Sequence, residues 1–99
     1  MKRENAFQAH IIKRLKKEFP GCIVLKNDAN CIQGIPDLIV LHNGTWAALE
    51  VKRSVDAPYQ PNQEYYVNRM HDMSYAAFVF PENEEEIFYD LQQTLQPSR

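Results

Sequence analysis

GIPDLIVLHNGTWAALEVK, residues Gly34 to Lys52, is two apolar runs joined by Asn43-Gly44. Asn-Gly between apolar runs is the strongest short signal for a β-hairpin, because a type I′ turn needs positive φ at both central positions. PDLIVLH (36–42) and TWAALEVK (45–52) are therefore expected to be antiparallel neighbours. In a two-residue turn, facing residues have numbers that sum to 87, so 42 faces 45 and Asp37 faces Glu50. Facing side chains have Cβ atoms about 4.5–5.5 Å apart. Side chains alternate along a strand, so Lys52 shares a face with Glu50. Three ionisable groups thus meet in one patch of an otherwise apolar hairpin.

Buried charge without a partner is costly, and two adjacent carboxylates repel unless a cation lies between them. A divalent metal removes the conflict. Mg2+ takes oxygen ligands, usually one or two carboxylates with waters and substrate phosphates. Asp37 and Glu50 supply the carboxylates, and the strand supplies a backbone carbonyl at Val51. Lys52 would orient or deprotonate a water, or stabilise developing negative charge. The reaction class that suits this set is hydrolysis of a phosphodiester. Each residue also has a plainer role: Asp37 as a strand-start residue, Glu50 and Lys52 as an exposed pair worth little. The pairing register, the apolar setting and the turn together favour chemistry.

Outward from the hairpin, residues 4–18 read as an amphipathic helix. Phe7, Ile11, Ile12 and Leu15 recur at helical spacing, Phe19 extends that face, and Pro20-Gly21 ends it. CIVLKN (22–27) reads as a strand and DANCIQG (28–34) as a loop. After a loop at 54–61, Pro61 is expected to open a helix running to about Met73, with Tyr65, Val67 or Asn68, and Met70 inward. YAAFVF (75–80) reads as a strand, pairing in parallel through a right-handed crossover. From Pro81 a last helix buries Ile87, Phe88, Leu91 and Leu95, with acids in its first turns where the helix dipole favours them. The order is α-β-β-β-α-β-α, an α/β fold with a mixed central sheet and helices on each face.

Length and composition bound the rest. Ninety-nine residues suit one domain spanning 1–99. No apolar run approaches the roughly 20 residues that cross a bilayer, and the polar start MKRENAFQAH is no signal peptide, so a cytoplasmic protein is expected. Cys22 and Cys31, nine positions apart, have no zinc or redox spacing and are expected to be reduced, partly buried thiols. Net charge is −2, but residues 1–53 carry +4 and residues 54–99 carry −6. One half could face a polyanion while the other stays in solvent; the plainer reading makes Lys13, Arg14, Lys16 and Lys17 the wet face of a helix.

The Gly-Ile-Pro-Asp run with Glu50-Val51-Lys52 resembles the PD-(D/E)XK nuclease signature. With Glu4 early in the first helix and Gln63 opening the next, the pattern over residues 4–80 resembles the VRR-NUC branch, especially its small stand-alone viral and bacterial members. It is also similar to Holliday-junction resolvases. The resemblance implies a restriction-endonuclease-like core and metal ligation by Asp37, Glu50 and the Val51 carbonyl. It assigns the catalytic lysine to Lys52 and sets Gln63 near that lysine or the scissile phosphate. Glu4 would hold a second metal or a metal-bound water, with Glu18 a weaker rival. The implied cofactor is Mg2+, with Mn2+ able to substitute, and no nucleotide cofactor.

The implied activity is a homodimeric endonuclease cutting branched DNA, above all four-way junctions, in a phage or its host's cytoplasm. A two-fold dimer would offer two sites to two strands of like polarity. The DNA surface of this net acidic chain would come from Lys2, Arg3, Lys13, Arg14, Lys16, Lys17, Lys26 and Arg53. Dimer contacts could come from Trp46, Tyr59, Tyr65, Tyr66 or Tyr75, although aromatics in a small protein are more often core. Two alternatives stand beside this reading: a non-catalytic DNA-binding or assembly module on the same fold, and a nuclease for flaps or other structured DNA.

Overall fold

The Asn43-Gly44 turn has φ of 54° and 75°, positive at both positions as a type I′ hairpin requires. The structure, a computed structural model, describes residues 2–28 and 30–96, with side chains from residue 5 onward. β2 (Leu38–His42) and β3 (Thr45–Val51) pair antiparallel on either side of the turn. His42 faces Thr45 and Leu38 faces Leu49, the register in which facing numbers sum to 87. β1 (Ile23–Lys26) adds antiparallel to β2, and β4 (Tyr75–Val79) adds parallel to β3. The sheet order is β1-β2-β3-β4, mixed as the sequence predicts.

Alternation along β3 divides the core. Ala47, Leu49 and Val51 face α1 (Lys2–Glu18) and α3 (Glu84–Leu95), joining Ile11, Leu15, Phe19, Phe88 and Leu91 in the larger cluster. Ala48 faces α2 (Gln63–Met73), where Val67 and Ala76 form a smaller cluster backed by Ile39, Trp46, Met70 and Phe78. Fully burying one leucine or phenylalanine stabilises a fold by about 1.5–3 kcal/mol, so the larger cluster carries most of the stability. By the same alternation Glu50 lies on the α2 side, just past Ala48, and Asp37 lies beside it, past Ile39 on β2.

Four expectations are corrected. Pro61 does not open α2: Pro61 and Asn62 form a turn, Asn62 is left-handed at φ 71°, and the helix starts at Gln63. Asn62 tolerates that conformation through its short polar side chain. Tyr65 points outward at 57% exposure, leaving Val67 and Gln63 as the buried residues of α2. Pro81 starts a short 3-10 turn (Pro81–Asn83) before α3, because the Asn83 side chain accepts the Phe80 N–H at 2.9 Å and donates to the Phe78 carbonyl at 3.0 Å. Cys22 is half-buried, its thiol pushed up by that burial, while Cys31 is exposed rather than partly buried. Among the described residues no helix is long and apolar enough to cross a membrane.

Candidate active site

β2, β3 and α2 converge on a cavity of about 310 Å3. Asp37, Glu50, Lys52 and Gln63 line it together. Glu50, Lys52 and Gln63 are only 3%, 4% and 7% exposed, so their polar groups need protein partners. Gln63 supplies them. Its Nε2 donates to Glu50 Oε2 at 2.8 Å, and its Oε1 accepts from Lys52 Nζ at 2.7 Å and from the Gln60 backbone N–H at 2.8 Å. The amide orientation follows from these partners, since a flipped amide would oppose donors with donors and an acceptor with a carboxylate. One glutamine thereby fixes the acid and the amine at once.

Lys52 Nζ also donates to the Pro58 carbonyl at 3.0 Å and lies 5.5 Å from the Tyr59 ring centroid. Tyr59 in turn stacks flat on Phe78, with centroids 4.4 Å apart and planes 1° apart. Phe78 faces Glu50 across the β3–β4 ladder. The loop after β3 thus folds back over the amine and closes one side of the cavity.

Asp37 is held from its backbone. The Asn27 backbone N–H donates to the Asp37 carbonyl at 2.7 Å, and the Asn27 side chain donates to the Pro36 carbonyl at 2.7 Å. Pro36 is fully buried. Asp37 Oδ2 accepts the Val51 backbone N–H at 3.2 Å, which ties the carboxylate to the opposite strand. Val51 itself is buried and is not among the residues lining the cavity. Upstream, Gly34 has φ +92°, and a Cβ there would lie 2.7 Å from the Asn62 backbone carbon. This close approach lets the loop before β2 pack on the turn before α2.

α1 contributes residues that sequence reasoning missed: Asn5 and Gln8 line the cavity from its first turns. Gln8 is one turn beyond Glu4, a spacing that could have flagged it. The Glu4 side chain, like those of Lys2 and Arg3, lies outside the described residues. Asn27 was also missed. It faces Asp37 only in the β1–β2 register, which the intervening loop leaves unspecified.

The basic residues separate by position. Arg53 is exposed on the cavity rim. Lys13, Lys16, Lys17 and Lys26 are exposed, with Lys17 roughly 13 Å along the α1 axis from Gln8 at 1.5 Å per residue. Arg14 is committed inside the protein. Its guanidinium makes two 2.9 Å bonds to Glu85, one of 2.7 Å to Glu84 and one of 2.6 Å to Glu18, and it lies 4.2 Å from the Phe88 ring centroid. The Glu85 hydrogen bonds raise the arginine further above its ordinary range, and the same bonds lower Glu85. Arg14 and Glu18 therefore brace α1 against α3 and are removed from the candidate DNA surface and from the cavity. Of the aromatics considered for dimer contacts, Tyr75 is buried, Trp46 is packed under α2, and Tyr59 and Tyr65 are exposed.

The donor set suits a hard cation. Two carboxylates from adjoining strands face one polar cavity with room for waters, which matches the ligands Mg2+ or Mn2+ prefer. Among the described residues no cluster of three or more His, Cys, Asp and Glu side chains converges.

No protein-family model matches the chain, and no curated protein sequence matches it. A solved structure described as a VRR_NUC domain is similar to it, at 25% identity over 88% of this chain and 95% of that one, with a TM-score of 0.64.

Proposed function

From the premise that this chain folds as a VRR-NUC nuclease domain, we propose a divalent-metal-dependent endodeoxyribonuclease that cuts branched DNA, four-way junctions foremost, as a homodimer. The observation that carries the reading is the Glu50–Gln63–Lys52 chain sharing one cavity with Asp37. Asp37 and Glu50 would hold Mg2+ or Mn2+, which supplies charge neutralisation at the phosphate and activation of water. Lys52, already a donor to two oxygens, is directed toward the cavity where negative charge develops. Gln63 keeps it there. Asn5 and Gln8 line the cavity from α1, and Arg53 offers a phosphate contact at the rim.

Branch preference and dimerisation rest on the resemblance to small stand-alone nucleases, and on the symmetry match between a two-fold dimer and a four-way junction. The test is cleavage of labelled junction, flap, duplex and single-stranded DNA with Mg2+ or Mn2+, beside a solution mass. Junctions should be cut fastest, by a species of twice the chain mass. Asp37→Ala and Glu50→Ala should each abolish cutting while the circular dichroism spectrum and DNA binding persist. Full single-turnover cleavage by either variant overturns the assignment.

A further inference from the structure

A second cleft, of about 260 Å3, shares Asp37, Gln60 and Gln63 with the catalytic cavity. Asn27, Gln33 and the Gly34–Ile35 segment complete it, and no lysine or arginine lines it. Apart from Asp37 its polar side chains are carboxamides. Two of these are spent: Asn27 holds the Pro36 carbonyl, and Gln63 bridges Glu50 and Lys52. The side chains of Gln33 and Gln60 are exposed and have no hydrogen-bond partner among the described residues.

Resting on the nuclease reading above, we propose that this cleft seats the nucleobase flanking the scissile phosphate, with Gln33 and Gln60 reading its edge. The two clefts share a wall at Asp37, Gln60 and Gln63, so a strand with its phosphate at Asp37 and Glu50 would place a neighbouring unit beside the second cleft. Charge selects the base over the next phosphate, which would call for cations that the cleft lacks. A carboxamide offers one donor and one acceptor side by side, and adenine presents the matching N6 and N7 pair. The backbone that carries Gln33 is held beside the cleft. Gly34 lets the loop that carries Gln33 pack against Asn62, where a Cβ added at Gly34 would lie 2.7 Å from the Asn62 backbone carbon, so the loop sits against the entry to α2.

Four-way junctions and flaps randomised at the positions flanking the cut, incubated with wild-type protein and Mn2+ and sequenced at the new ends, test this. Wild type should favour adenine at one flanking position on the order of tenfold. Gln33→Ala and Gln60→Ala both retain the backbone and leave Asp37, Glu50, Lys52 and Gln63 in place. Gln33→Ala, at a residue outside the catalytic cavity, should flatten that preference while still cutting, and Gln60→Ala, at a residue that lines that cavity, should flatten the base distribution of its products, whatever its rate. Cutting by wild type with no base preference overturns the cleft and leaves the nuclease intact, as does a preference that survives both substitutions. Failure of wild type to cut any DNA overturns both.

Discussion

Gln63 is the residue on which the site turns. Asp37, Glu50 and Lys52 are brought together by strand pairing, but the carboxylate and the amine are fixed by the amide between them. Groups that orient ligands or reacting residues typically cost 10–100-fold when removed. Gln63→Ala should therefore lower single-turnover cleavage by about 10–100-fold with the helix signal unchanged. Gln63→Glu should be worse, since it sets a carboxylate oxygen against Glu50. A rate within twofold of wild type in the alanine variant would show that Lys52 finds its position without help. The motif resemblance set Gln63 near Lys52 or the scissile phosphate, and its simultaneous bond to Glu50 was not legible. That link depends on α2 starting two residues after Pro61, in a turn set by tertiary packing.

At the scale of elements, the hairpin and the loops behave differently. The turn Asn43-Gly44 fixed one register by local geometry alone, and all of β2 and β3 followed from it. The loop from 28 to 34 has no such rule, so the β1–β2 register, and with it Asn27 opposite Asp37, emerged only in the folded sheet. Gly34 is where two loops touch. An alanine there meets Asn62 at 2.7 Å in a left-handed backbone conformation, so Gly34→Ala should destabilise by about 2 kcal/mol or more. A denaturation midpoint equal to wild type would show that the loops can separate without loss. Arg14 makes the complementary point: the family resemblance put it on the DNA surface and the plainer reading on a solvated helix face, yet Glu84 and Glu85 of α3 claim it.

Two properties belong to the whole molecule. Tyr75 is buried between the sheet and α3, and its hydroxyl donates to Asp90 at 2.8 Å. Burial first, and then Asp90, pushes the phenol well above its ordinary value of about 10. Above pH 10 the unfolded chain releases this proton while the folded chain keeps it, so stability falls as pH rises from there. Tyr75→Phe should flatten the decline between pH 10 and 11 in urea titrations; an unchanged slope would assign the decline elsewhere. DNA affinity should also fall with salt, with a slope of about −0.9 per phosphate contacted. Arg53→Ala should reduce the steepness by about one unit in a log–log plot of binding against salt. No change in slope would remove Arg53 from the DNA surface.

The sequence by itself determined the element order, the hairpin register and the gathering of Asp37, Glu50 and Lys52. Each of these follows from local rules: turn chemistry, period-two alternation and apolar spacing. Tertiary structure alone decided which basic residues remain available, that the Gln63 amide reaches Glu50 as well as Lys52, and which walls close the cavity. Those outcomes depend on contacts between segments far apart in the chain, such as Arg14 with Glu85 or Gly34 with Asn62, and no local pattern specifies where distant surfaces meet.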